Sequence, residues 1–561
     1  MVIGDILCEL EVMVYNLSLN NLVSFTSRNS YINTASKSDA DVKTSIFYVN
    51  DLHSRLANMD GIKAKADEFK LKNPDTDKFL LSGGDMKVGL GEKIGDLVLK
   101  FMNLIGIDLS AIGNHEFDAG TIKLQEQIDK MNEHAIRNNL SPFKFVVTNL
   151  DIDEKNPLAK SIKDKKLVKS CIMTRNGHNY GFVGATPISL KESARLNPGM
   201  DGIQVKNLYK TTEEIEKEVS LLEKQNINKI ILLSHLGYKN DKYIANKVSG
   251  IDVIVGGHTH NVLKGIDPGK NLFLTPEKEP VILLEAGKDG EQVGTLDIIF
   301  DSDGIIKEAN NKIIDNETPV KDLKVQKLKD EILGKSEALG FLEKPYNPIK
   351  KYRCENPMAS LFADAMRNKA GAQIALMVND NALVNNGLKA GEITTRDIQN
   401  LSPFKNNVYK INLSGKELQE VLSWAVGKGK SSSAIQVSGI KYTITNTRDV
   451  KNLILESNDN SKIPIDPDKQ YSIVYDEHLL YKANYNKAFN IIEILNTKNK
   501  EELSWDKGYA LIEYIKSFNN KPFEIKPKNR IAIEPHFTSF TGSNDVRKNW
   551  LKQHNIQLLV S

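Results

Sequence analysis

Short apolar runs alternate with longer amphipathic stretches over residues 45–300. The runs Ser45–Val49, Lys78–Ser82, Leu109–Ile112, Phe143–Thr148, Tyr180–Ala185, Lys229–Ser234 and Ile251–Val255 are brief and rich in Val, Ile, Leu and Phe, which predicts buried strands. Between them, Ile62, Ala66 and Phe69, and then Ile94, Leu97, Val98, Phe101, Met102 and Ile105, recur at helical spacing and read as core. Val281–Glu285 and Val293–Phe300 read as a closing pair of strands. The alternation predicts a layered α/β domain over residues 44–320. A charged stretch over 321–343 reads as a linker helix, after which the pattern restarts. A helix over Met358–Lys369, strands over Gln373–Val378 and Val408–Leu413, a helix over Gly415–Val426, a strand over Tyr471–Tyr475, a helix over Glu502–Phe518 and a strand over Arg530–Ile533 predict a second α/β domain within 344–535.

Five of the early strands deliver residues able to bind metal. The exits are Asn50-Asp51-Leu52-His53, Gly83-Gly84-Asp85, Gly113-Asn114-His115-Glu116-Phe117-Asp118, Ser234-His235 and Gly256-Gly257-His258-Thr259-His260. The carboxyl ends of strands are the usual ligand position in an open α/β sheet. Asp51 and His53, two apart on an extended segment, point the same way, and two glycines before Asp85 let the backbone approach an ion. Together Asp51, His53, Asp85, Asn114, His235, His258 and His260 supply carboxylates, an amide and imidazoles. That mixed set suits Mn, Zn, Fe or Co and is poor for calcium. Their number fits two divalent ions sharing one carboxylate, about 4 Å apart, as phosphoester hydrolysis uses. His115 is set apart from the ligands. It would stabilise charge in the transition state or protonate the leaving group, with Asp118 holding it protonated and oriented. One histidine at a strand exit is ordinarily structural. The weight here lies in the clustering, since the chain has only 10 histidines and half of them fall at these exits.

Composition changes the picture little. The 75 basic and 72 acidic residues give a net charge of +3 and are spread evenly, without the signature of a nucleic-acid polymer or membrane surface as partner. The 3 cysteines are too scattered for a disulfide framework or a zinc–thiolate site, and no apolar run has membrane-spanning length. Residues 1–43 form an unassigned leader without a basic start, and 536–561 an unassigned tail.

The five exits resemble, in order, the motifs of the 5'-nucleotidase family of calcineurin-like metallophosphatases, which includes cyclic-nucleotide phosphodiesterases and nucleotide-sugar hydrolases. The resemblance covers residues 45–300. It implies a four-layered α/β/β/α metallophosphatase domain followed by an α/β C-terminal substrate-binding domain. It implies one ion held by Asp51, His53, Asp85 and His260, another held by Asp85, Asn114, His235 and His258, and a catalytic dyad of His115 and Asp118. The implied activity is removal of phosphate from a small-molecule phosphoester, a nucleotide, by an extracytoplasmic enzyme. The alternatives are esterase action on cyclic nucleotides, nucleotide sugars or a non-nucleotide phosphate, and a metal-stabilised binding protein without turnover.

The second half resembles the family's C-terminal domain through Glu355-Asn356, Leu361-Phe362-Ala363-Asp364-Ala365, Gly391-Glu392-Ile393-Thr394, Ser402-Pro403-Phe404-Lys405-Asn406 and Leu413-Ser414-Gly415-Lys416-Glu417-Leu418. Phe404 stands where a base-stacking aromatic is expected. The family's Gly-rich turn ending in Ile-Arg is replaced by Val378-Asn379-Asp380-Asn381-Ala382-Leu383, leaving Asn379 as the polar candidate. The Arg expected before Glu355 is Cys354, with Arg353 adjacent. His478 stands in the second aromatic segment, which lacks its glycine turn. A lost bidentate Arg is not replaced by a nearby Lys.

Overall fold

Phe47, Tyr48 and Val49 are fully buried, so the strand Val42–Val49 has protein against both of its faces. A strand in that position belongs between layers. The computed structural model describes residues 23–24, 41–72, 74–89, 91–193, 200–317, 321–348, 354–379, 387–402, 405–427, 433–456, 462–496 and 500–534. Most of the expected leader and all of the expected tail therefore lie outside the described residues. The chain divides into two units, Met1–Ala338 with Thr394–Asn406, and Leu339–Ile393 with Asn407–Ser561.

In the first unit, Val42–Val49, Asp77–Ser82, Leu109–Ala111, Lys144–Val146 and Leu167–Val168 run parallel in that order. Gln292–Phe300 pairs antiparallel with Val42–Val49 and with Ile306–Asp315. A second sheet places His178–Ala185, Ile230–Ser234, Val253–Val255 and Pro280–Leu284 parallel, with antiparallel edges at Ser170–Arg175 and Leu272–Leu274. The sheets meet through one apolar layer containing Tyr48, Phe79 and Leu81 from one sheet and Phe182, Leu233 and Val255 from the other. Within it the Thr44 and Tyr180 hydroxyls bond at 2.7 Å. Helices Met59–Leu71, Glu92–Ile105 and Gly120–Arg137 cover the outer face of the first sheet, and Leu208–Glu223 and Tyr238–Ala245 that of the second. The layering is α/β/β/α.

Two expectations are corrected here. The strands over 281–285 and 293–300 do not pair with each other. Pro280–Leu284 joins Val253–Val255, and Gln292–Phe300 joins Val42–Val49 in the other sheet. Both runs bury apolar side chains, and such a pattern does not name its partner; the turn between them, with Gly287, Asp289 and Gly290 at positive φ, carries the chain across. The helix expected over 321–343 covers only Leu323–Leu333, stops at Gly334 and gives way to the strand Ala338–Leu342. Its Val325 and Leu328 join the first unit's core, and Lys329 Nζ reaches Asp60 Oδ2 at 2.8 Å.

The second unit is built on a sheet ordered Gln436–Ser438, Ile374–Met377, Gln470–Asp476, Val408–Ser414 and Glu501–Leu503, with a four-stranded sheet beside it. The helix Gly415–Val426 has its expected bounds because Ser414 and Glu417 form a reciprocal cap. The helix expected over 502–518 is shorter, Lys507–Lys516. Asp506 accepts from Tyr509 N and starts it late, and Glu501–Leu503 becomes an edge strand. Among the described residues, no helix is long and apolar enough to cross a membrane.

Candidate active site

Because Val42–Val49 and Asp77–Ser82 are parallel neighbours, their exits lie side by side and lock together through the backbone. Gly83 N donates to Val49 O at 2.9 Å, Asp51 N to Gly84 O at 2.9 Å and His53 N to Asp85 O at 3.1 Å. The third exit adds His115 N, which donates to Asp85 Oδ1 at 2.8 Å. The second sheet closes the site from the other side. His258 N donates to Asp51 Oδ2 at 3.0 Å, and His260 Nε2 lies 3.3 Å from Asp51 Oδ1. The contact is close enough to require glycine. A Cβ on Gly83 would come within 2.2 Å of Gly256 O, and one on Gly113 within 2.1 Å of Asp85 Oδ1.

The exits bring Asp51, His53 and His260 into one group, and Asp85, His235 and His258 into another. Within each group the ligand atoms lie within 4.8 Å of one another, and a third such group joins His115 to His53 and Asp85. Asn114 is buried on the same loop as His115. Asp51, His53, Asp85, His258 and His260 all have φ between +47° and +75°. Non-glycine residues avoid that region unless their surroundings over-determine it, and such positions gather at functional sites.

The electrostatics fit cations. Burial pushes the Asp51 and Asp85 carboxyls up, yet the surrounding imidazoles, His235 foremost, hold both below the usual carboxylate range. Burial pulls His235 down, but Asp85 and Asp51 outweigh it and lift the imidazole to about 10. His258 goes the other way, to about 4, through burial and the charge of His235. The His235 ring has a fixed orientation, with Nδ1 donating to Gly83 O at 2.6 Å. Its buried Nε2 is therefore aimed at Asp85 Oδ2, 2.9 Å away. Two buried carboxylates facing an oriented imidazole nitrogen form a donor set that a divalent cation satisfies once it displaces the imidazole proton.

His115 stands at the rim, its side chain 26 % exposed, with Nδ1 donating to the buried Asp118 Oδ2 at 2.8 Å. Burial lowers its basicity, but Asp118 and Asp85 more than compensate and raise its pKa.

Three acidic residues not singled out from the sequence hold this arrangement. Glu116 accepts from Gly113 N at 2.8 Å, Asp85 N at 3.0 Å, Met86 N at 3.0 Å and Lys87 N at 3.4 Å, tying two exits to one carboxylate. Its place beside His115 was visible, but only the fold shows what it bonds. Glu116→Ala would strand those donors and is expected to destabilise the chain by about 3 kcal/mol or more, measured as a lower denaturant midpoint at unchanged m. Glu285 follows the strand Pro280–Leu284 and accepts from Thr259 Oγ1 at 3.0 Å and Asn261 N at 2.9 Å, fixing the loop that carries His258 and His260. Asp289 accepts from His53 Nδ1 at 3.0 Å.

In the second unit, Asn379 follows Ile374–Met377, and His478 follows the parallel neighbour Gln470–Asp476. Asn379 is buried, and among the described residues neither amide atom has a hydrogen-bond partner. His478 lies in the helix Glu477–Tyr485, its ring 6.1 Å from that of Tyr481. Arg353 and Phe404 lie outside the described residues.

The calcineurin-like phosphoesterase family matches residues 44–262, and the 5'-nucleotidase C-terminal domain matches 335–490. The chain is 25 % identical over 530 residues to the trifunctional nucleotide phosphoesterase protein YfkN of Bacillus subtilis, covering 88 % of this chain and 35 % of that longer protein. It thus spans about a third of that relative's length. It is 27 % identical over 544 residues to the 5'-nucleotidase of Rattus norvegicus, covering 86 % and 88 % of the two chains. The fold matches the crystal structure of a 5'-nucleotidase precursor from Thermus thermophilus with a TM-score of 0.61 at 21 % identity, covering 88 % of this chain and all of that one. Calcineurin-like phosphoesterases imply divalent metal ions, which agrees with the donor set. The chain is a metallophosphoesterase of the 5'-nucleotidase type, a calcineurin-like phosphoesterase domain followed by a 5'-nucleotidase C-terminal domain.

Proposed function

We propose that this enzyme hydrolyses the phosphomonoester of a nucleotide. The observation that carries the reading is the pair of carboxylate–imidazole groups at the strand exits with the His115–Asp118 pair beside them. Asp51, His53, Asp85 and His260 would hold one divalent ion and Asp85, Asn114, His235 and His258 a second, with Mn, Zn, Fe or Co fitting the mixed donors. Such ions polarise phosphoryl oxygens and lower the pKa of the attacking water. The protein's own contribution is positional. His235 keeps its Nε2 aimed at the Asp85 side of the site because Gly83 O occupies Nδ1. His115, with Nδ1 occupied by Asp118, keeps Nε2 for a substrate oxygen, where its proton neutralises the departing alkoxide.

The nucleotide part of the reading rests on the second unit and on the names of the relatives. Asn379, buried at a strand exit with both amide atoms unpartnered among the described residues, supports a polar ligand there. Lys482, four residues beyond His478, bonds Ser433 Oγ and places an amine in this segment, its pKa pulled down to about 8 by burial. Arg353 and Phe404 complete the proposed substrate set. By the same family likeness the enzyme acts outside the cytoplasm.

The test is hydrolysis by purified, Mn-loaded protein of an aryl phosphate, its bis-aryl diester, 5'-AMP, a 2',3'-cyclic nucleotide and a UDP-sugar. A kcat/KM for 5'-AMP at least tenfold above that for the aryl phosphate is expected. Equal rates would remove nucleotide recognition and leave only the hydrolytic centre. A preference for the cyclic nucleotide or the UDP-sugar would replace the monoester reading.

A further inference from the structure

The two metal positions are supported differently. His235 presents Nδ1 to a backbone carbonyl, Gly83 O, whereas His53 presents Nδ1 to a carboxylate, Asp289 Oδ1, at 3.0 Å. Asp289 is buried and firmly placed. Its N donates to Asp51 O at 2.6 Å, and its own carbonyl accepts from Asn58 Nδ2 at 2.8 Å. The turn that bears it is pinned to the same exit, since Asn50 Nδ2 donates to Gly287 O at 2.8 Å and Asn50 Oδ1 accepts from Ala286 N at 2.7 Å. Arg55 approaches the same oxygen, Nε 3.4 Å from Asp289 Oδ1, with its side chain 8 % exposed. Among the described residues neither Nε nor Nη1 of that guanidinium has a hydrogen-bond acceptor, so its role toward Asp289 is that of a fixed charge.

A carboxylate on the distal nitrogen of a metal-binding histidine fixes the tautomer, orients the ring and strengthens the ligand, and removing it commonly costs about 10–100-fold in metal affinity. A backbone carbonyl fixes the tautomer without the charge. We infer that Asp289, with the Arg55 charge beside it, is a positioning residue that selectively tightens the metal position containing His53 and leaves the His235 position unaffected. This rests on the two-ion reading of the site.

The experiment uses the full chain, stripped with a chelator and titrated with Co²⁺, with bound ions counted and the visible d–d spectrum recorded. Asp289→Asn is the informative variant. Asparagine tolerates φ of +60°, and its amide oxygen can still accept from His53 Nδ1, so only the charge is lost. One of two binding steps is expected to weaken about 10–100-fold with an altered Co²⁺ spectrum, the other remaining as in the unsubstituted chain. Asp289→Gly, which also suits this backbone conformation, should weaken the same step further. Unchanged titrations would overturn the inference. So would equal weakening of both steps, because Asp289 would then only be holding the turn. If the unsubstituted chain bound fewer than two ions, the failure would belong to the two-ion reading instead.

Discussion

Replacing Asp85 with Asn is expected to lower kcat/KM on every substrate by about a thousandfold or more while leaving the protein folded. In the proposed two-ion arrangement Asp85 is the ligand that both ions share. Oδ2 lies 2.9 Å from His235 Nε2 and 3.8 Å from His53 Nε2, and Oδ1 takes the backbone N–H of His115. An amide keeps the last of these and loses the charge that two cations would share. Metal polarisation of a phosphoryl group is worth several kcal/mol, and each 1.4 kcal/mol is a factor of ten in rate. The fold should survive because the backbone at residue 85 is held by Glu116 and by His53 N, which do not depend on the Asp85 side chain. The checks are steady-state kinetics on 5'-AMP and on the aryl phosphate, the metal content of the purified variant, and its thermal midpoint. An active variant with unchanged metal content would remove Asp85 from the centre. Chelation of the unsubstituted enzyme should reproduce the loss, and added Mn²⁺ should reverse it in that enzyme but not in the variant.

The exits were legible because strand and ligand are contiguous in sequence. A run such as Ser45–Val49 must be buried, and a polar pair directly after it must stand at a sheet edge. Bounds were legible where a cap announced them, as at Ser414 and Glu417, and illegible where a cap lay inside the apolar pattern, as at Asp506. Sheet membership was not legible at all. Pro280–Leu284 and Gln292–Phe300 follow one another in the chain, but different sheets bury them. Glu116, Glu285 and Asp289 went unseen for a related reason. They act on backbone donors or on a ring that sequence separation hides, 236 residues in the case of Asp289 and His53. Asp289 did leave a trace, standing in Gly287-Lys288-Asp289-Gly290 just beyond a strand, the pattern that marked the other exits. In the second unit, a missing Gly-rich turn was readable, but the helix Glu477–Tyr485 that starts at once after Gln470–Asp476 was not.

His115→Ala is expected to reduce kcat by about 10²–10⁴, the usual range for a positioned proton donor, and the size of the loss should depend on the leaving group. Nitrophenolate leaves without help, whereas the 5'-alkoxide of a nucleoside needs the proton, so the loss should be far larger for 5'-AMP than for the nitrophenyl ester. Equal losses on the two substrates would assign His115 to charge stabilisation alone, and an unchanged rate would remove it from the reaction. Asp118→Asn separates the proton from the ring. Burial tends to lower the His115 pKa, and Asp118 and then Asp85 raise it above the ordinary imidazole value. A group that must be protonated to act loses activity as pH rises through its pKa. Removing the Asp118 charge lowers that pKa, so the alkaline limb of kcat should move to lower pH. The acid limb, set by ionisation of the attacking water, should stay in place. The shift should vanish in His115→Ala/Asp118→Asn, because the residue whose proton Asp118 retains is gone. An Asp118→Asn profile displaced equally on both limbs would mean that the substitution had disturbed the ions, through the loop that Gly89 N ties to Asp118 Oδ2 at 2.6 Å, and had not acted on the imidazole.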